Sequence, residues 1–160
     1  MSGLSKSVAT GLRVGFVSAP EALVPAIERA IRVTTWNTPA ITTAIASRWL
    51  DDGTVSRLEA EKRVDARIRQ SVAREIFADT PLVGHQSSYF AWLPLAQDAR
   101  ADRIAALLAR RRVSVSTAEA FATTAHVPQA LRLALGSAEL PSLRQALSEV
   151  KDAVDAAPYL

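Results

Sequence analysis

The chain has 160 residues, of which 49% are hydrophobic and 22% charged, an ordinary globular composition that argues against disorder. The absence of cysteine excludes a disulfide framework and a thiolate metal site, and the two histidines, His85 and His126, show no metal-ligand spacing. The net charge of +3 suggests a nucleic-acid partner, but most arginines alternate with acids at helix-surface spacing, as in Asp65 and Arg69, so we do not expect this chain alone to contact DNA.

The N-terminal half is predicted to contain one strand followed by three helices. Residues 12–19, "LRVGFVSA", favour a strand that ends at Pro20, and because neither face is strongly polar it should have neighbours on both sides. Apolar spacing predicts helices over residues 21–34, about 39–50 and 54–77. Thr54 is the expected cap of the third helix. Its expected apolar side is formed by Leu58, Val64, Ile68, Val72 and Ile76.

The C-terminal half is predicted to be a small α/β unit. "SYFAWLPL" favours a strand, residues 100–112 a helix and "VSVSTAEAFA" a second, short strand. "ALRLALG" is the best-formed strand of this half, and a last helix is expected over about 140–156. Strands and helices in this order typify a mixed domain in which helices cover a sheet.

The sequence predicts no partner for the edges of the N-terminal strand. A lone apolar strand would expose an unpaired edge, which proteins normally avoid. We therefore expect either that another chain covers this strand or that part of the natural protein is missing.

Two cationic side chains stand in unusual settings. Lys6 lies between two serines, and Arg13 follows it by seven residues. A lysine amine can form a Schiff base with an aldehyde cofactor, whose phosphate would be held by arginine and hydroxyl groups. Arg132 interrupts an apolar strand, on the face opposite Leu131 and Leu133, where it could bind a carboxylate. Taken singly, Lys6 is better explained as a solvated lysine and Arg132 as a surface or ion-paired arginine.

The order of these motifs resembles a known family. "SKSVATGLRVGFVSAP" is similar to the cofactor-lysine segment of fold-type I aminotransferases, S-K-x-x-x-P-G-L-R-x-G followed by a strand. The spacing from lysine to arginine is that of the branch that contains 2-aminoadipate-type aminotransferases and the MocR subfamily of GntR-type transcriptional regulators. "SSYFAWLPL", "VSVSTAEAFA" and "LRLALG" resemble, in the same order, the opening strand, a loop and the arginine-bearing strand of that branch's small domain. The resemblance covers nearly the whole chain.

The resemblance implies a pyridoxal 5'-phosphate site. Lys6 would form the covalent bond to the cofactor and act as the catalytic base and acid, while Ser5 and Arg13 would lie near the cofactor phosphate. Arg132 would bind the α-carboxylate of an amino acid or related amine, acting as substrate or effector. Asn37, in "TTWNTP", would lie near the substrate at a homodimer interface.

The implied fold class is α/β, the C-terminal part of the aminotransferase fold. Residues 1–50 would be a remnant of the large cofactor-binding domain, residues 51–77 a long bridging helix, and residues 78–160 the small C-terminal α/β domain. Departures from the family pattern include Gly3 in place of a phosphate-binding serine and the pair Ser87 and Ser88 in place of two glycines.

The family's carboxylate for the pyridine nitrogen, its ring-stacking aromatic residue and its glycine-rich phosphate turn have no counterpart in this sequence. We therefore expect an incomplete chain that binds the cofactor weakly or not at all and is inactive alone. The sequence of residues 32–63 resembles the regulators more than the enzymes, which favours a MocR/GntR-type regulator. Its DNA contact would come only through a missing N-terminal domain. The alternatives are a segment of a true class I/II aminotransferase and an interaction module without cofactor.

The targeting signals of membrane and exported proteins are not evident. No apolar stretch approaches the roughly 20 residues that span a bilayer, and the N-terminus lacks the basic and apolar regions of a signal peptide. We therefore expect a soluble cytoplasmic protein.

Overall fold

The computed structural model describes residues 2–156, which fall into two compact units that divide between Lys62 and Arg63. Helix α4 (Thr54–Ile76) runs through this boundary. The three-part division expected from the sequence stays a prediction.

Unit one, residues 2–62, is mostly helical. Antiparallel pairing joins β1 to β2, with Gly3 opposite Gly15. Besides the first part of α4, its elements are β1 (Ser2–Gly3), α1 (Leu4–Ser7), β2 (Gly15–Phe16), α2 (Val24–Thr34) and α3 (Ala40–Asp51). The predicted helices of this half are thus confirmed.

The predicted strand over residues 12–19 is wrong in its extent. Residues Thr10–Leu12 form a 3-10 turn, and the backbone at Arg13 turns into the left-handed region with φ 51°, so extended pairing is confined to Gly15–Phe16. Phe16 and Val17 are 39% and 48% exposed, and within unit one the described partner of β2 is β1. A backbone turn, which apolar content does not reveal, occupies the first residues of the predicted strand and delays its start to Gly15.

The start of α4 is capped by Asp52 and not, as predicted, by Thr54. The Thr54 backbone N–H donates to Asp52 Oδ1 over 3.0 Å, which satisfies one of the donors that a helix start leaves without a partner. Hydrogen bonds from Thr54 are the main reason that the pKa of Asp52 lies below its usual value, and Arg48 adds to the effect.

Unit two, residues 63–156, is a three-stranded antiparallel sheet with helices packed on one face. Its elements after α4 are β3 (Phe90–Pro94), α5 (Ala101–Arg110), β4 (Ser116–Thr117), β5 (Ala130–Ala134) and α6 (Leu140–Asp155). The strand order is β3-β5-β4, so the strand that carries Arg132 is central. The core of this face includes Phe77, Leu93, Ile104, Leu108, Leu131, Leu133, Leu135, Leu147 and Val150. The small α/β unit predicted for this half is confirmed.

The buried side of α4 in unit two differs from the predicted apolar stripe. Val64 and Ile68 are 50% and 45% exposed, whereas the fully buried line consists of Ala66, Gln70, Ala73 and Phe77. These four also follow helical spacing. Val72 and Ile76 of the predicted stripe pack against the core while partly buried, so this part of the prediction is confirmed. Small alanine side chains let the helix approach its neighbours closely, and Val64 and Ile68 lie outside that contact.

Candidate functional site

The segment around Lys6 is anchored by buried residues at intervals of four. Leu4, Val8 and Leu12 are buried, 3–7% exposed, and pack with the side chains of α3 and the start of α4 in one apolar cluster. The backbone N–H groups of Val8 and Ala9 donate to Leu4 O over 2.9 and 3.0 Å, which closes the single turn of α1. The Leu4 N–H in turn donates to Val14 O over 3.0 Å. The turn is therefore held at both ends.

This anchoring places the predicted cofactor residues on the outer surface of unit one. Lys6 and Arg13 are exposed and Ser5 is half-buried, because the intervening positions supply the apolar anchors. Arg13 adopts the left-handed conformation that few non-glycine residues take, a feature found at functional turns. An amine, a hydroxyl and a guanidinium thus lie on one anchored segment, and their roles stay predictions.

Asn37 lies in the loop between α2 and α3. Its backbone N–H donates to Thr35 O over 2.7 Å, and its side chain makes no hydrogen bond within residues 2–156. The preceding Trp36 is 78% exposed and has a φ of 64°. The structure therefore gives Asn37 an open position, and its substrate role stays a prediction.

Arg132 lies in unit two, on the sheet face opposite the helices. In the register of the sheet it stands across from Trp92 on β3 and from Ser116 on β4. Its guanidinium carbon lies 3.9 Å from the ring centre of Phe90 and 5.0 Å from that of Phe121. Within the described part of the chain the guanidinium has no hydrogen bond or ion pair. Aromatic faces therefore flank a cation whose N–H donors are not taken by acceptors among residues 2–156.

The sequence interpretation missed these aromatic partners, although a signal for them exists. Phe90 and Trp92 are two residues apart on a strand and so share a face. Antiparallel register places that face beside Arg132. Phe121 follows β4 in a 3-10 turn, and its ring meets that of Trp92 edge-to-face at 6.2 Å, which no spacing rule predicts.

A second polar cluster of unit two fixes the chain that leaves β5. Arg69 Nε donates to Asp65 Oδ2 over 2.8 Å, and its Nη1 donates to the carbonyls of Leu135 and Ala138. The hydroxyl of Tyr89 donates to the same Asp65 oxygen. Burial, followed by the hydrogen bond to Asp65 and its charge, raises the pKa of Tyr89 to about 12. The Asp65/Arg69 pair of the sequence is confirmed as an ion pair, with the Arg69 side chain only 11% exposed.

The described residues contain neither a candidate metal site nor a candidate membrane-spanning helix. Within residues 2–156 no group of histidine and acidic side chains is arranged to hold a metal ion. None of the helices in this range combines the length and the apolar character that crossing a bilayer requires.

A comparison with protein families matches residues 1–149 to the model for aminotransferase class I and II. The chain belongs to this family. No curated protein matches the chain.

Solved aminotransferases share the fold of the chain. An archaeal alanine:glyoxylate aminotransferase is 19% identical with a TM-score of 0.82, over 96% of this chain and 39% of that one. Pyrococcus horikoshii kynurenine aminotransferase, solved in complex with PMP, is 18% identical with a TM-score of 0.81, over 95% and 39%. The α-aminoadipate aminotransferase LysN from Thermus thermophilus is 18% identical with a TM-score of 0.82, over 98% and 41%.

These matches confirm the predicted fold class, an α/β portion of the aminotransferase fold. The chain spans about two-fifths of the length of each of these structures. The activity and partners of a whole protein are therefore proposals.

Proposed function

We propose that this chain is the pyridoxal-phosphate-binding, amino-acid-sensing segment of a MocR-subfamily GntR-type regulator, and that it has no transaminase activity alone. The single observation that carries the amino-acid part is the guanidinium of Arg132, which contacts aromatic rings and has no acidic partner among the described residues. The alternative is the same segment of an aminotransferase that moves an amino group between an amino acid and a 2-oxo acid.

The chemistry of Arg132 supports recognition of a carboxylate. A guanidinium presents five N–H donors in a planar fork that matches the two oxygens of a carboxylate. A half-buried cation without an acid nearby is stabilised when an anion binds. The α-carboxylate of an amino acid supplies such an anion.

The donor set of unit one fits a phosphorylated aldehyde cofactor. The exposed amine of Lys6 would bond to the aldehyde carbon, and Ser5 and Arg13 would bind the phosphate. When bound, pyridoxal phosphate supplies the electron sink that makes the Cα proton of an amino acid acidic. Lys6 would accept that proton and return it. The chain lacks a counterpart of the family's carboxylate for the pyridine nitrogen, so we expect weak binding.

A pyridoxal phosphate titration of the full chain, followed by visible absorption and borohydride trapping, tests this assignment. Peptide mapping should place the trapped adduct on Lys6, with Lys62 and Lys151 as internal controls. Lys6→Ala should abolish the absorption change, and Arg13→Gln should weaken it. Equal labelling of the three lysines, or an unchanged titration in Lys6→Ala, would contradict a cofactor role for Lys6.

Regulator and enzyme differ in the rest of the parent protein. The coding sequence upstream of residue 1 should encode a winged-helix DNA-binding domain if the parent is a regulator. A short arm and the remaining aminotransferase domain, without a winged helix, would favour the enzyme. Turnover of an amino acid with a 2-oxo acid by the chain alone would contradict the proposed lack of activity.

We also propose that two copies associate through residues 10–50. The support is the exposed apolar surface of unit one, to which Leu23, Val24, Ile31, Val33 and Trp36 contribute with exposures of 41–78%. Several large exposed apolar side chains within one short segment are typical of an interaction site.

A further inference from the structure

We propose that Phe90 is a positioning residue for Arg132. Its ring holds the guanidinium by stacking and leaves the N–H donors available to a carboxylate. The identity of that ligand rests on the proposed function, whereas the positioning itself rests on the geometry of unit two.

The contact geometry favours Phe90 as the main support. The Arg132 guanidinium carbon is 3.9 Å from the Phe90 ring centre, well inside the roughly 6 Å range of a cation–π contact, and 5.0 Å from that of Phe121. An acidic partner would hold the guanidinium equally well, but it would occupy the donors and neutralise the charge. An aromatic face attracts the cation but leaves its N–H donors unbonded and its positive charge in place.

The backbone of Phe90 is itself fixed by two polar side chains. Its N–H donates to Ser88 Oγ over 3.0 Å, and its carbonyl accepts from Gln70 Nε2 over 3.1 Å. Gln70, which is 2% exposed, also donates to Ser88 O over 2.9 Å. Ser88 stands where the related family has glycine, so this departure adds a hydrogen bond. A continuous set of contacts thus leads from Gln70 through Phe90 to Arg132.

The position of the pair in the sheet makes the support rigid. β5 is paired on both sides, so the Cα of Arg132 is fixed by its neighbours at Trp92 and Ser116. The freedom that remains is the rotamer freedom of its long side chain, which is larger for arginine than for most residues. Stacking on Phe90 restricts that freedom before a ligand arrives, and preorganisation of this kind raises affinity.

NMR of the full chain labelled with 15N-arginine tests the proposal. Arg132→Lys assigns the Nε–H resonance, which should be shifted upfield by the ring of Phe90. Phe90→Leu should move it downfield, Phe90→Tyr should retain the shift, and Phe121→Leu should have the smaller effect because that ring is more distant. Propionate serves as the carboxylate probe. We expect its affinity to fall about two- to fivefold in Phe90→Leu, the size of a surface cation–π contact, and to recover in Phe90→Tyr.

Different results would contradict the positioning role of Phe90 and the proposed carboxylate site at Arg132. A wild-type resonance without an upfield shift, or one that Phe90→Leu leaves in place, would overturn the role of Phe90 whether or not propionate binds. A shifted resonance that responds to Phe90→Leu but not to propionate would support the positioning and contradict the proposed carboxylate site. Loss of affinity in both Phe90→Leu and Phe90→Tyr would overturn stacking as the cause, because tyrosine keeps the aromatic face.

Discussion

The hydroxyl of Tyr89 donates a hydrogen bond to Asp65 Oδ2 over 2.7 Å. The two residues lie 24 positions apart and connect α4 to the segment that enters β3. Arg69 donates to the same carboxylate oxygen, so one acid serves two donors. This contact fixes the residue that immediately precedes Phe90.

Alkaline pH should weaken this contact. The pKa of Tyr89 is raised from 10.0 to about 12, so folding favours the protonated phenol. The resulting stabilisation is fully present below pH 10 and is lost as the pH rises through 12. Denaturant unfolding between pH 8 and 12 should therefore show a steeper loss of stability in the wild type than in Tyr89→Phe. Lysine titration is common to both proteins and cancels in the comparison, so parallel curves would contradict the shifted pKa.

Removal of the Arg69 guanidinium should lower the free energy of unfolding substantially. Arg69→Met removes one hydrogen-bond donor from Asp65 and one from each of the carbonyls of Leu135 and Ala138. Hydrogen bonds that involve a charged group contribute about 1.5–3 kcal/mol each, and partial solvation reduces the sum, so we expect a loss of about 2–4 kcal/mol in the free energy of unfolding. Arg67→Met, at an exposed position of the same helix, should change it by less than about 0.5 kcal/mol. Equal effects of the two substitutions would show that the buried contacts do not stabilise the fold.

The buried apolar residues of the segment around Lys6 should contribute as much to the free energy of unfolding as Arg69 does. Leu12 is 7% exposed, and Leu12→Ala should lower the free energy of unfolding by about 2–5 kcal/mol because it leaves a cavity. Ile68, which is 45% exposed and lies outside residues 10–50, provides the control, and Ile68→Ala should have little effect on the free energy of unfolding. Thermal and denaturant unfolding measure both variants. A loss for Ile68→Ala as large as that for Leu12→Ala would show that the anchoring has been misassigned.

Association through unit one should depend on concentration. Light scattering should show a mass that rises towards that of a dimer, and Ile31→Glu, at a 43% exposed position of α2, should keep the chain monomeric. Val64→Glu, at a 50% exposed position on α4 outside residues 10–50, is the control and should leave association unchanged. A monomer across the whole concentration range would contradict the proposal.

Local patterns were enough to predict most elements but not their long-range contacts. β5 was predicted correctly because Leu131 and Leu133 alternate with Arg132, a signal contained within one strand. The N-terminal strand was overestimated because the left-handed turn at Arg13 depends on backbone geometry that apolar content does not encode. The stacking of Phe90 on Arg132 depends on the register between two strands, so neither segment reveals it alone.

The spacing of the buried residues around Lys6 has a consequence for how this segment can vary in length. Leu4, Val8 and Leu12 recur every four positions, and the lysine lies in the exposed phase of that interval. A different side chain at the exposed position 10 leaves the phase intact. Insertion or deletion of a single residue between Leu4 and Leu12 would change this spacing. The buried residues that follow the altered position would then no longer fit the apolar cluster in which they pack. The segment is therefore tolerant of substitution at its exposed positions and intolerant of any change in residue number.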